Sequence, residues 1–599
     1  MLDKIKWIWK YYRRYRYVLG VLVFLTPVQA VIGVTMPQMF GFAVDYLKSG
    51  NVSEHFLSRL ITGAGATFGL SAITSYGAGF ILLGLVSSAL YAFVQSHRAW
   101  MNCRLEWEFR QDAFDQITTK GPDFFNKFRT GDIVTRLTDD VAEKLSWFAC
   151  SGIFRLYEAL LFIFFITLMM LSLDPWLTLW AAGPLPILVF IFFKSSSALD
   201  RKYDHLQTRI SRFNDVMEAC FYGIRVVKAY VREVAQKRKF EATAQDRRTA
   251  EIGAVKLTAV VESLYQYIWQ IALVTVLVIG GYKVIASGLS VGSLAAFIYY
   301  VSWLVFPMFD VGQFLVKSRQ SAVSIDRLRA MEQMPPMVSD TGQTTLTESV
   351  RGEIVFEQVS FGFPDSERRI LDKVTLELPA GKTVALVGRI GSGKSWLINT
   401  IPRLVDPTGG TIHLDGRELR QFKLEDLRRM IGYVPQEPVL FSDTLRNNIL
   451  LGRDDVPQEV IEWAIEVAQL KDEMAGFPNG LDTAVGTRGM MLSGGQKQRL
   501  ALARALVGKP RILILDDCTS ALDSRTEAAL WDRLHEVMPG LTAVLITHRP
   551  GTLESVDRIY VMNDGRVEEA GTHSELMANG GQYAKIYRRY QLAEEIEKT

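Results

Sequence analysis

The chain has 599 residues, 49 % of them hydrophobic, with 67 basic against 64 acidic side chains and a net charge of +3. That length exceeds what one hydrophobic core usually organises, so at least two domains are expected, and the near-balanced charge gives no reason to expect a nucleic-acid partner. Cys103, Cys150, Cys220 and Cys518 are too few and too scattered for a disulfide framework or a zinc site, so reduced thiols are expected.

The N-terminal segment interleaves Lys4, Lys6, Lys10, Arg13, Arg14 and Arg16 with Trp7, Trp9, Tyr11, Tyr12, Tyr15 and Tyr17. Aromatic and basic residues together predict an interfacial amphipathic helix under a bilayer, over about residues 1–16. Basic residues before the first apolar run place the N-terminus in the cytoplasm. That run is too long for a secretory signal and lacks a small-residue cleavage site.

Six apolar runs follow, at Val18 to Tyr46, Leu60 to Val94, Trp147 to Leu173, Trp176 to Phe193, Leu257 to Ala286 and Val291 to Val316. Each is near the ~20 residues that a helix needs to cross a hydrocarbon layer of ~30 Å. The outer connections are short: Lys48 to Ser58, Asp174-Pro175, and Ser287 to Ser290. The inner ones, Ser96 to Ser146 and Lys194 to Lys256, are long, charged and helical in pattern. At 1.5 Å per residue, ~50 helical residues reach ~75 Å, or half that as a hairpin, so these segments should project well below the membrane. In the sixth run Phe297, Tyr299, Tyr300, Trp303, Phe306 and Phe309 fall near one another, followed by Asp310 and Gln313. An acid at membrane depth is a functional candidate, and the aromatic residues suit either cargo contact or ordinary packing.

Residues 331–350, with Pro335, Pro336 and several Thr and Ser, read as a linker, after which the pattern becomes that of a soluble α/β domain over 351–599. The apolar strand Lys382 to Val387 feeds Gly388, Arg389, Ile390, Gly391, Ser392, Gly393, Lys394 and Ser395, a Gly-x4-Gly-Lys-Ser phosphate loop. Glycine amides in such a turn cage anionic phosphates, Lys394 reaches the terminal ones, and the Ser395 hydroxyl ligates Mg²⁺. Downstream lie Gln436 in Tyr-Val-Pro-Gln-Glu, the pentapeptide Leu492, Ser493, Gly494, Gly495 and Gln496, the strand Ile512 to Leu515 ending in Asp516 and Asp517, and His548 after another apolar strand.

That ordered set resembles the ATP-binding cassette (ABC) transporters, and with the six runs it is similar to their exporters, whose membrane and ATPase domains share one chain. The likeness covers nearly the whole sequence and is most specific in the ATPase motifs. It implies a six-helix membrane domain with long cytoplasmic extensions over 1–330, then an α/β P-loop ATPase in the cytoplasm beneath a bacterial cell membrane. Asp123 to Asp139 and Glu218 to Glu233 match the points where such extensions dock on the ATPase. By the same resemblance Phe363 stacks on adenine, Trp396 follows the loop serine where a small hydroxyl residue is common, Gln436 meets the metal and attacking water, Asp516 holds Mg²⁺, Ser520 to Asp523 crosses the dimer interface, and His548 contacts the γ-phosphate.

In this family the pentapeptide closes over the ATP of a second domain, so one such domain per chain implies half of a machine. Asp517 stands where competent relatives place the glutamate that polarises water. It is one methylene short, and losing a general base typically costs ~10²–10⁴-fold. Arg389 and Ile390 inside the loop, Trp396 after it, and Thr487 in place of a glutamate add to the departures. Together they favour a heterodimer with one degenerate ATP site, resembling bacterial multidrug exporters for hydrophobic or amphipathic drugs, lipids or peptides. The alternatives are a homodimeric exporter or a nucleotide-gated regulatory protein.

Overall fold

The computed structural model describes the backbone of all residues except 1, 184, 287, 346–349, 364–367, 475, 487–491, 519–523 and 599, and omits the side chains of 2, 5, 185, 186, 188, 189, 192, 193, 196, 197, 265, 316, 319, 524, 525, 597 and 598. Its packing divides the chain into two units: Met1–Thr118 with Thr130–Gln333, and Thr119–Arg129 with Met334–Thr599.

The first unit is helical. Among the described residues five helical stretches are long and apolar enough to cross a membrane: Lys6–Ser49, Ala72–Thr118, Thr130–Leu173, Glu233–Ile285 and Val291–Glu332. The fourth expected run, Trp176 to Phe193, falls on helices Pro175–Ala182 and Leu185–Tyr222, either side of residue 184, which is outside the description. Residues 68–71 interrupt the second expected run, so its span starts at Ala72. The cause is local. Gly69 takes φ +72°, a left-handed conformation that ends the helix Phe56–Thr67, and Gly65 touches the next helix so closely that a Cβ there would lie 1.9 Å from Ser75 Oγ.

Helix Leu2–Tyr12 turns Ile8, Tyr11 and Tyr12 into protein. Trp7 stacks on Phe109 at 5.4 Å and donates its indole N–H to Glu332 at 3.1 Å, while Trp9 stays exposed. An amphipathic helix expected to lie against lipid thus presents much of its aromatic face to helices Ala72–Thr118 and Val291–Glu332. Further along the bundle, Val34, Ile166, Met170, Leu177, Ala272, Phe297, Tyr300 and Leu304 form a common core.

The second unit has ten described strands: β1 (Ile354–Phe361), β2 (Leu371–Leu378), β3 (Thr383–Gly388), β4 (Gly409–Leu414), β5 (Arg417–Glu418), β6 (Ile431–Val434), β7 (Ile512–Asp516), β8 (Thr542–Ile546), β9 (Arg558–Asn563) and β10 (Arg566–Gly571). An antiparallel sheet runs β2-β1-β4-β5, and a larger one runs β10-β9-β3-β8-β7-β6, parallel except for β10. β3, β7 and β8 are buried along their whole length, as Val, Leu and Ile on both faces of a covered parallel sheet require. One core, around Phe356, Leu386, Ile398 and Ile514, joins the two sheets; another, around Ala385, Ile465, Leu513 and Tyr583, packs helices on the opposite face.

Candidate functional site

Strand register decides which residues meet. Leu386 of β3 pairs with Ile546 of β8, Ile546 with Asp516 of β7, and Leu515 with Val434 of β6. Because these strands are parallel, their C-terminal ends lie side by side, and the loops that follow carry the phosphate loop, Asp516 and Asp517, His548 and Gln436. Open α/β sheets bind ligands at this edge.

The phosphate loop is held by its own polar groups. Gly391 and Gly393 take φ of +81° and +98°. These left-handed values cost a side-chain-bearing residue about 1 kcal/mol or more and turn the chain sharply into the helix that starts at Lys394. Lys394, 8 % exposed, donates Nζ to the carbonyls of Gly388 at 2.8 Å and Arg389 at 2.9 Å and reaches Ser392 Oγ at 3.4 Å. Burial lowers its pKa, against the pull of Asp516 and Asp517. Arg389 and Ile390, the unusual loop residues, point outward, and Ile390 is fully exposed.

Asp516 ends β7 almost fully buried, with its carboxylate hydrogen-bonded by the Ser395 hydroxyl. Burial raises the pKa of both Asp516 and Asp517; Ser395, Lys394 and His548 oppose that for Asp516, and His548 opposes it for Asp517 while Asp516 adds to it. Asp517 sits at φ +44°, and its amide donates to Ile546 O at 3.0 Å. Its Oδ2 lies 4.0 Å from His548 Nε2. Gln436 follows β6 on the exposed surface.

Phe363 and Trp396 form a small aromatic corner with Phe361: Trp396 stacks on Phe361 at 5.4 Å and meets Phe363 edge-on at 5.0 Å. Beside them a cavity of about 510 Å³ is lined by Arg369, Ile370, Gly391, Gly393, Trp396 and Gly565. A glycine cradle, a buried lysine, and a hydroxyl hydrogen-bonded to a carboxylate, next to an aromatic-walled cavity, fit a nucleoside triphosphate with one hard divalent cation.

The pentapeptide has a different local logic. Ser493 Oγ accepts from Gln496 N at 3.2 Å, and Gln496 Oε1 accepts from Ser493 N at 2.8 Å. This reciprocal capping box fixes the start of helix Gly494–Leu506. Leu492 anchors it in the core, Ser493 and Gly494 are exposed, and Gly495 and Gln496 are half-buried. The first helical amides therefore face outward at the positive end of the helix dipole, where an anion is favoured. Thr487 and the loop Ser520 to Asp523 lie outside the described residues.

One residue at the site had no sequence signal. Tyr590, on the C-terminal helix Gln582–Lys598, contacts His548 Nδ1 at 2.7 Å, with the rings edge-to-face at 5.1 Å. Burial pushes the Tyr590 phenol up to about 12, so it stays protonated at neutral pH and holds the His548 ring by its Nδ1 edge.

The aromatic cluster of the sixth run divides by helical phase. Phe297 and Tyr300 are buried core, with the Tyr300 hydroxyl donating to Val34 O at 2.7 Å. Trp303, Phe306 and Asp310 instead line a cavity inside the first unit.

Comparison with known proteins agrees with both units. Residues 19–308 match the family described as ABC transporter transmembrane region, and residues 371–520 match ABC transporter. The chain is 33 % identical to "Probable multidrug resistance ABC transporter ATP-binding/permease protein YheI" of Bacillus subtilis (strain 168), covering 99 % of this chain and 98 % of that protein. It is 32 % identical to "Multidrug resistance-like ATP-binding protein MdlA" of Escherichia coli (strain K12), covering 98 % and 96 %. A solved structure of a bacterial Atm1-family ABC exporter with ATP bound shares the fold at a TM-score of 0.74, with 24 % identity over 96 % of this chain and 98 % of that one.

Proposed function

Because this chain belongs to the ABC transporter family and carries both its transmembrane region and its ATPase, we propose that it is one half of an exporter. Six spans and one ATPase domain pair with a second, related half to move hydrophobic or amphipathic compounds across the membrane. ATP supplies the free energy when bound and hydrolysed at the ATPase domains, which lie in the cytoplasm with the N-terminus.

In this reading Phe363 and Trp396 flank the base, residues 388–395 and Lys394 hold the phosphates, and Ser395, Asp516 and Gln436 hold Mg²⁺. His548, steadied by Tyr590, reaches the terminal phosphate. Asp517 occupies the place of the general base and is too short to bring its carboxylate up to the attacking water. This chain's own site then mainly retains ATP. Its pentapeptide, Leu492 to Gln496, with Ser493 and Gly494 facing outward, completes the partner's hydrolytic site instead.

The observation that carries the reading is that combination: a short acid at the base position beside an intact metal acid and histidine, together with a well-capped, exposed pentapeptide. Purifying the tagged full-length chain tests it. A related half-transporter should co-purify, and the chain expressed alone should turn over ATP slowly. A homodimer with fast, cooperative ATPase activity would exclude the degenerate-site heterodimer.

A further inference from the structure

The membrane unit carries an open cavity of about 580 Å³ whose wall bears four charged side chains among aromatic ones. They come from Ala72–Thr118, Thr130–Leu173 and Val291–Glu332, all helices apolar enough to span a bilayer. Charges in such segments are expensive, so their arrangement calls for a reason.

The two ion pairs are not alike. Arg98 and Glu158 meet at 2.8 Å, with side chains 9 % and 15 % exposed. Arg98 also donates to Gln95, and Glu158 also accepts from Gln29 Nε2 at 3.2 Å. This pair is closed on itself and positions the wall. Arg155 and Asp310 are 3.8 Å apart, beyond hydrogen-bond distance, and their side chains are 47 % and 33 % exposed. They face each other from different helices, beside Trp303 and Phe306. Gln29 adds a third feature: it is 4 % exposed, lines the same cavity, and its Oε1 has no hydrogen-bond partner. A buried acceptor in that condition favours a donor.

We propose that this cavity is the cargo site, and that Arg155 and Asp310 exchange their loose mutual contact for the two charges of an amphipathic zwitterion bearing a protonated amine. The inference rests on the exporter reading and names its substrate class. Charge conservation selects the class. Cargo that fills the cavity displaces its water, so a cation on Asp310 alone strands Arg155, an anion on Arg155 alone strands Asp310, and a charge taken out of water without a counter-charge is costly. A zwitterion strands neither. Its N–H donors reach the Gln29 carbonyl oxygen, and its apolar part lies on Trp303 and Phe306.

Such a molecule comes either from a lipid headgroup or from a free compound, and one experiment treats both. Calorimetry on the full-length chain, purified in nanodiscs with whatever partner accompanies it, compares dihexanoyl-phosphatidylethanolamine and the dipeptide Phe-Phe with a diacyl trimethylammonium cation, an anionic short-chain phosphatidylglycerol and neutral dihexanoylglycerol. At least one zwitterion should bind about tenfold tighter than each singly charged or neutral probe, the lipid alone pointing to the bilayer as source and the dipeptide alone to a free compound. Arg155→Gln should shift the preference to the cation, Asp310→Asn to the anion, and the swap R155D/D310R should restore the zwitterion. A wild-type protein that ranks the cation, the anion or the neutral probe first overturns the proposal, even if no variant folds. So do folded single variants, judged by monodisperse elution and an unchanged thermal-unfolding midpoint, that keep the wild-type ranking. ATP-driven uptake of a neutral dye into inverted vesicles tests export separately: uptake without zwitterion preference refutes only the cargo class, and absence of uptake for every probe refutes the exporter reading.

Discussion

The two ends of the ATP chemistry sit on one polypeptide and should respond oppositely to substitution. If Asp517 is too short to serve as base, as proposed, Asp517→Asn should change turnover of the assembled complex less than about twofold. Ser493→Arg breaks the capping box and puts a long cation over the exposed amides. It should lower turnover by about 10²-fold, the scale on which loss of one preorganised donor set is felt. ATPase rates of the purified complex compare the two, and a collapse with Asp517→Asn as deep as with Ser493→Arg would make Asp517 a working base. The same acids set a pH dependence. Burial raises the pKa of Asp516 and Asp517 above the ordinary aspartate range, and only the ionised form holds a cation. Mg²⁺-dependent ATP affinity should therefore be lost on acidification at a higher pH than exposed carboxylates protonate, and Asp516→Asn should remove that slope in a binding titration. Tyr590→Phe deletes the hydrogen bond that orients His548. A loss of about 1 kcal/mol is expected, weakening ATP retention about fivefold, and Tyr590→Ala should do no less.

The helical extensions end in two unlike tips. In Pro122–Lys127 the side chain of Phe124 is fully buried against Phe125 and Phe128, while Phe125 remains half exposed. Around Ile224–Ala229 the apolar residues Tyr222, Val226 and Tyr230 are 95 %, 61 % and 72 % exposed. Apolar side chains gathered at a surface mark a contact yet to be made, and a second ATPase domain is the partner that the proposed dimer supplies. Ile224→Asp and Phe125→Asp should leave basal ATPase activity within about twofold, since half-exposed sites tolerate a charge, yet abolish its stimulation by cargo. Phe124→Asp should instead unfold the tip, because it buries an unpaired charge. Cargo-stimulated ATPase activity that stays normal in both exposed-site variants would remove these tips from the transmission path.

The proposed orientation in the membrane rests on where the basic residues and the long extensions lie. Reporter fusions after Lys48, Asp174 and Gly288 should signal from outside, and those after Thr118 and Lys228 from the cytoplasm. This alternation requires six crossings, the fourth through Trp176 to Phe193. A cytoplasmic signal after Asp174 or an external one after Lys228 would leave five and break the pairing of membrane and ATPase halves on one face.

Much of this was readable from residue order, for a physical reason. A phosphate loop, a strand ending in two acids, and apolar runs long enough for a bilayer are local patterns whose chemistry depends on neighbours a few positions away. The glycines at 391 and 393, Lys394 and the Ser493–Gln496 box are of this kind. Contacts between distant segments are not. Nothing in the order of residues joins Tyr590 to His548, or Gln29 and Arg98 to Glu158, or separates the cavity residue Trp303 from the core residue Tyr300, since each depends on how helices and strands pack and on their rotational phase. The break before Ala72 was hidden as well, because an apolar run has the same composition whether one helix or two carry it, and only the close approach of Gly65 to Ser75 shows which.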